Sequence, residues 1–140
     1  MSYERLRLDR QLCFPLYAAS RAVVRRYEPH LKALSLTYTQ YITLLCLWEQ
    51  DALSVKELSE RLYLDSGTLS PLLATLERKG IVLRARSKDD ERVVTVSLTE
   101  AGRALEEKAK DIPLAVGSCL AVDREDAAEL YRILYRLLER

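Results

Sequence analysis

The 140-residue chain predicts a mainly α-helical single domain with a small β hairpin, and three neighbouring observations carry that expectation. The first is a short amphipathic segment, where Val55, Leu58 and Leu62 recur at helical spacing. Ser54 is placed there to cap, with Glu57 three residues on, the pattern of a capping box. The second is a leucine stripe at Leu69, Leu72, Leu73 and Leu76, spaced i, i+3, i+4, i+7, which Gly80 ends by offering a left-handed stop. The third is a pair of strand-like runs, 81–86 and 92–98; in the second, Val94, Val96 and Leu98 alternate with Val93, Thr95 and Ser97.

Helix, turn, helix and hairpin in this order make a winged helix-turn-helix. The second helix presents Ser66, Thr68, Ser70, Thr75 and Arg78 opposite its leucines, short polar groups and one cation that can approach base edges and phosphates closely. Pro71 lies inside this helix, where it removes one amide and crowds the carbonyl four residues back. The expectation is therefore a bend there or a later start. The hairpin tip, 87–92, is too polar for core and has Arg84, Arg86, Lys88 and Arg92 on or beside it. Asp90, two residues before Arg92, is placed to orient its guanidinium for a minor groove. The tip alone is equally an ordinary charged turn; its position after a helix-turn-helix is what points to double-stranded DNA.

Composition narrows the alternatives. The formal net charge is only +1, yet residues 1–32 hold seven basic and three acidic side chains and residues 99–140 seven basic and nine acidic. DNA affinity must then come from a local positive surface, strengthened when two copies act together. Three cysteines, Cys13, Cys46 and Cys119, show no CxxC spacing, and with one histidine, His30, they assemble no zinc pattern; no metal or cofactor is expected. The start of the chain is charged rather than signal-like, and no apolar run approaches the roughly 20 residues that span a bilayer, so the expected compartment is the reducing cytoplasm, away from membranes.

The flanks are helical. Residues 8–31 carry one stripe of Leu12, Leu16, Ala19 and Val23 beside another of Cys13, Tyr17, Ser20, Val24 and Tyr27, with Pro15 marking the start. A first-turn proline puts Cys13 at the helix N-terminus, where free amides favour a thiolate. The same residue is also readable as a small packed hydrophobe, the commonest fate of a free cysteine, and this stretch alone leaves both open. A second helix opens at 36–41 and runs to about Asp51, with Cys46 inside its apolar run. Thr99 caps a further helix through Leu105, Ala109 and Ile112, interrupted at Pro113 and Gly117. Asp123 caps the last, which shows Leu130, Ile133, Leu134, Leu137 and Leu138 as a broad stripe. The expected organisation is a DNA-binding region over about 36–98, with N- and C-terminal dimerisation helices over about 8–31 and 99–140.

These motifs together resemble a known family. The run Asp89-Asp90-Glu91-Arg92 followed by Val96-Ser97-Leu98-Thr99-Glu100-Ala101-Gly102 is similar to the wing and following helix of the MarR family of dimeric bacterial repressors. Gln11-Leu12-Cys13-Phe14, Leu36-Thr37-Tyr38-Thr39-Gln40-Tyr41, Leu47-Trp48-Glu49 and Leu62-Tyr63-Leu64-Asp65-Ser66-Gly67-Thr68-Leu69 resemble its organic hydroperoxide resistance branch. The similarity covers residues 8 to about 113. It implies a repressor that senses an organic hydroperoxide by oxidation of Cys13 and then releases its operator, with Tyr27 and Tyr38 of the other subunit supporting the thiol and Phe14 and Tyr17 lining an apolar pocket. Cys119 falls about where two-cysteine members keep a resolving thiol; a small cellular thiol is the other partner open to the oxidised sulfur. Helical rise agrees with the two-subunit arrangement, because Cys13 and Tyr27 lie about 21 Å apart along one helix. Two readings stand beside this one: a MarR-type repressor released by a phenolic or aromatic ligand, with Cys13 only packed, and a thiol peroxidase. Against the enzyme stand the missing catalytic cysteine motif and the whole DNA-reading module.

Overall fold

The computed structural model describes residues 3–139. Two single 3-10 turns, Glu4–Leu6 and Leu8–Arg10, lead into α1 (Cys13–Lys32), followed by α2 (Tyr38–Glu49), β1 (Leu53–Ser54), α3 (Val55–Leu62), α4 (Ser66–Arg78), β2 (Val82–Arg86), β3 (Val94–Leu98), α5 (Glu100–Ala109), α6 (Ile112–Gly117) and α7 (Arg124–Leu138). The three strands form one antiparallel sheet in the order β1-β3-β2, with Leu53 opposite Val96 and Val82 opposite Leu98.

Local chemistry sets the element ends. Thr37 opens α2 with a complete capping box: its hydroxyl accepts from the Gln40 amide, and the Gln40 side chain accepts from the Thr37 amide at 3.1 Å. Asp65 caps α4 by accepting from Thr68, Thr99 caps α5 and Asp123 caps α7. At the far end of α4, Gly80 has φ +74°; its amide donates to Glu77 O and that of Ile81 to Leu76 O, the paired bonds of a Schellman stop. Gly102 is needed for closeness rather than for φ: a β-carbon there would lie 2.3 Å from the Ile81 carbonyl, and Trp48 Nε1 donates to the Gly102 carbonyl at 3.0 Å.

The core lies inside the segment 31–116. Leu44 and Leu47 of α2, Leu53, Leu58 of α3, Leu69, Leu73 and Leu76 of α4, Val82 and Val96 are all fully buried. The leucine stripe and the alternating strand thus bury the faces their periods predict, with Leu72 and Val94 partly covered.

Four expectations are corrected. The first helix does not begin near residue 8 but at Cys13, because the first turn of a helix leaves its amides unpartnered and so accepts Pro15. Further on it passes through Pro29, which leaves the Arg25 carbonyl without its usual donor. Pro71 does not delay α4, which begins at Ser66. Pro113 does not interrupt the fifth helix: that helix ends at Ala109, and Pro113 lies in the first turn of the separate α6, taking Ile112 with it. The Ser54 capping box is only half formed. Ser54 accepts from the Glu57 amide at 3.0 Å, but it also belongs to β1 opposite Thr95, and the Glu57 carboxylate accepts from the Ser54 hydroxyl instead of its amide.

The outer helices are finished differently. Leu31 is the single buried residue of α1, and α7 has none among its described residues. Leu12, Leu16 and Tyr17 at one end and Leu130, Ile133, Leu137 and Leu138 at the other remain exposed.

Candidate nucleic-acid interface and thiol site

The N-terminal half of α4 holds Ser66, Thr68 and Ser70 exposed, as expected of a helix that approaches base edges. Thr75 and Arg78, one and two turns on, are less free. The Thr75 hydroxyl donates to the Pro71 carbonyl at 3.1 Å and accepts from the Arg78 guanidinium at the same distance. Between α4, the start of α3 and the hairpin lies a groove of about 420 Å³. Ser54, Lys56, Ser66, Ser70, Arg84 and Arg92 supply its polar lining.

The wing arginines divide by what holds them. Arg92 extends from the tip with its side chain 90% exposed, and Asp90 accepts from its Nε at 3.2 Å and from its amide at 3.0 Å. That side-chain bond, followed by the backbone one, holds the Asp90 carboxyl below its usual range. Arg86 donates to the Glu91 carbonyl across the hairpin, and Lys88 is exposed at the tip. Arg84, grouped above with the DNA-facing cations, lines the groove and is also tied to α4. Glu77 accepts from its amide at 2.9 Å and from its guanidinium at 3.1 Å, which lowers the Glu77 carboxyl through the backbone bond first and the side-chain bond second.

Sequence reading passed over Glu77 and Lys56. Arg84 stands seven positions after Glu77, and only the stop at Gly80 folds that interval into contact. Lys56 is a single cation on a short helix and carries no signal until the hairpin closes over it.

The thiol region is built on α1. Cys13 is the first residue of the helix and is exposed; Leu12 precedes it without a side-chain cap. Phe14 is 44% and Tyr17 59% exposed, and the Arg21 guanidinium lies 5.4 Å from the Tyr17 ring centre. At the other end of α1, Tyr27, Tyr38 and Tyr41 form one aromatic cluster, with ring centres 5.1 Å apart for Tyr27–Tyr38, 5.7 Å for Tyr27–Tyr41 and 6.2 Å for Tyr38–Tyr41. Burial pushes the Tyr38 and Tyr41 phenols up, helped by their neighbours in the cluster. Tyr41 was readable, since Tyr38 and Tyr41 stand at i, i+3. Within one chain, α1 keeps this cluster away from Cys13.

Cys119 is exposed just after α6, whereas Cys46 is partly covered in α2, where burial pushes its thiol up against the opposing influence of Arg61. Among the described residues no group of histidine, cysteine and carboxylate side chains is arranged to hold a metal, and no helix is long and apolar enough to cross a membrane.

Comparison with known proteins places this architecture. Residues 25–109 match the family described as transcriptional regulator SarA/Rot. The chain is 48% identical over 137 residues to the organic hydroperoxide resistance transcriptional regulator of Bacillus subtilis, a match covering 98% of this chain and 93% of that protein. Among solved structures, reduced AbfR bound to DNA, a protein of Staphylococcus epidermidis, matches with a TM-score of 0.77 at 37% identity over 99% of this chain and 100% of that one. The disulfide-formed state of AbfR matches at 0.68 and 38% identity over 97% and 96%. A MarR mutant from Escherichia coli complexed with operator DNA matches at 0.79 and 26% identity over 91% and 94%. With its winged head, its terminal helices and its matches over nearly the whole chain, this protein belongs to the MarR family of transcriptional regulators, in the branch of the organic hydroperoxide resistance regulators.

Proposed function

We propose that the chain is a homodimeric repressor that holds operator DNA while Cys13 is reduced and releases it when an organic hydroperoxide oxidises that thiol. The observation that carries this reading is the separation along α1: an exposed thiol at its first residue and a tyrosine cluster at its far end, joined by a helix whose apolar face one chain leaves uncovered. A second copy running antiparallel covers that face and brings the phenols of Tyr27 and Tyr38 of the partner subunit to the sulfur, where O–H donors stabilise a thiolate.

The thiolate attacks the terminal oxygen of ROOH. An S–O bond forms, the O–O bond breaks, and the departing alkoxide takes a proton to leave as ROH, so that Cys13 is oxidised to a sulfenic acid. Phe14 and Tyr17 offer the apolar R group a surface. The sulfenic acid then condenses with a thiol, losing water and forming a disulfide, as the disulfide-formed state of AbfR supports; Cys119 of the partner subunit and a small cellular thiol are the two candidates. On DNA, Ser66, Thr68 and Ser70 face the major groove and Arg92, braced by Asp90, enters the minor groove, in the cytoplasm where the operator lies. One peroxide consumed per Cys13 distinguishes this regulator from a peroxidase, which turns over.

The test is a gel shift on the DNA upstream of the chain's own coding sequence, reduced and then treated with cumene hydroperoxide, with mass spectrometry of Cys13. Wild type should release DNA as Cys13 gains oxygen or a disulfide partner, and Cys13→Ser should bind and stay bound. Release of Cys13→Ser at the wild-type dose would remove the sensor assignment. A covalent dimer on non-reducing gels that disappears in Cys119→Ser identifies the resolving thiol. One observation favours a second reading, release by a phenolic ligand: a groove of about 920 Å³ runs beside Tyr38, with Val24, Leu31 and Leu36 in its wall. Release of Cys13→Ser by a simple phenol, without peroxide, would support it.

A further inference from the structure

The function proposed above puts oxidation at one end of α1 and DNA on α4, and one side chain outside both sites joins the regions. Lys79 follows α4 directly and closes it, its amide donating to the Thr75 carbonyl at 3.1 Å. Its ammonium then leaves the reading head for the turn between α1 and α2. There Nζ donates to the Ser35 carbonyl at 2.5 Å and to Gln40 Oε1 at 3.3 Å.

Each acceptor is itself fixed. Ser35 holds a left-handed φ of 56°, its amide donates to Lys32 O and the next amide, of Leu36, to Leu31 O, so the turn is wound tightly onto the end of α1. Gln40 is only 6% exposed, and the same Oε1 accepts from the Thr37 amide at 3.1 Å, closing the capping box of α2. The first residue of α2 is Tyr38, its ring tilted against that of Tyr27 at 5.1 Å between centres. One ammonium therefore links the C-terminus of α1, the N-cap of α2 and the C-cap of α4, and it lies at the negative end of the α1 dipole, where a cation is favoured. Apolar contact, such as that of Leu31, Leu44 and Leu76 in the shared core, holds elements together without fixing an angle.

We infer that Lys79 is a positioning residue for operator release, carrying a displacement of Tyr38 into the recognition helix. The inference rests on the proposed function for the step in which oxidation of Cys13 moves Tyr38 of the partner subunit. A shift of Tyr38 shifts the cap of α2, the Gln40 and Ser35 acceptors move with it, and the C-terminal end of α4 follows through the ammonium.

The test uses full-length Lys79→Met and Lys79→Arg. Operator Kd is measured before and after one equivalent of cumene hydroperoxide, with Cys13 oxidation followed by mass spectrometry and folding by thermal melting. Lys79→Met should oxidise at the wild-type rate and, when reduced, bind operator within about threefold of wild type, while the ratio of oxidised to reduced Kd falls about tenfold. Lys79→Arg, which keeps a cationic donor, should restore the ratio. An unchanged ratio in Lys79→Met, with wild type releasing normally, overturns the tie alone. Failure of wild type to release on oxidation overturns the proposed function and the tie together. If Lys79→Met melts early, Lys79→Gln, with a shorter polar stem that lacks the charge, is read by the same ratio.

Discussion

The reading head and the outer helices of this chain are built to different degrees of completion. In the head, 54–98, every element has a partner within the chain: α3 and α4 bury Leu58, Leu69, Leu73 and Leu76 against the sheet, the hairpin is braced to α4 by Glu77 and Arg84, and Asp90 holds Arg92. In α1 and α7, apolar side chains at helical spacing face outward. A rigid module is therefore carried by an unfinished frame. In the dimer proposed above, a second copy completes this frame, which can then change its geometry without unfolding the module, as a releasable repressor requires.

The contrast breaks most visibly in the core. Leu73 is fully buried in α4 and meets the sheet. Leu73→Ala should lower unfolding stability by about 3 to 5 kcal/mol, by the same amount at any protein concentration, because the loss is internal to one chain. A loss that shrinks on dilution would mean that the head also depends on the second copy. The complementary substitution is Leu137→Asp, at a residue 64% exposed in the single chain. It should leave the fold of each chain intact and weaken self-association by about 2 to 3 kcal/mol per subunit. Sedimentation equilibrium measures this directly, and an unchanged dimer constant would put the interface elsewhere. Smaller again is Arg92→Ala, expected to weaken operator binding by about 1 to 3 kcal/mol and to flatten its salt dependence. Equal affinities across a salt series would remove the wing tip from the interface.

What was legible in the sequence follows the same division. Periodic apolar patterns and caps report on contacts within the chain, so the leucine stripe, the Thr99 and Asp123 caps, the Gly80 stop and the Asp90–Arg92 pair could all be read locally. Residues whose partners come from distant segments could not. Glu77 meets Arg84 only after the Schellman stop turns the chain, β1 is two residues long and exists only because β3 passes beside it, and Lys79 finds Ser35 across 44 positions. Proline misled at 113, which lies in the first turn of α6, where the missing amide would have had no acceptor, and at 71, where α4 runs on past the first turn in spite of the lost amide; Pro15 marks the start of α1 as its first-turn position implied. The proposed thiol site of Cys13 with Tyr27 and Tyr38 came from the resemblance alone; within one chain the thiol and the tyrosines stand at opposite ends of α1, so local spacing says nothing of which surfaces would meet.

The smallest effect concerns the seam between head and frame. Asp51 follows α2 and accepts from the Leu98 amide at 2.9 Å, the Ala52 amide at 2.8 Å and the Arg103 guanidinium at 3.2 Å, joining the end of α2 to the last residue of β3 and to α5. Burial opposes its ionisation, but the two amides and Arg103 outweigh it and its pKa falls below the usual carboxylate value. A carboxyl whose folded pKa is depressed stabilises the fold above its unfolded pKa of about 4, and that contribution disappears as pH falls through the lower folded value. Asp51→Asn should therefore cost about 1 kcal/mol near neutral pH, because a neutral amide oxygen accepts these bonds more weakly than a carboxylate, and the difference from wild type should narrow as the melts are taken to acid. The seam also predicts where the loss is felt: hydrogen exchange should quicken at the Leu98 amide before it quickens within α4, since the head keeps its own core while its junction to α5 loosens. A pH-independent difference, or equal acceleration throughout α4, would show that Asp51 supports the head itself rather than its attachment.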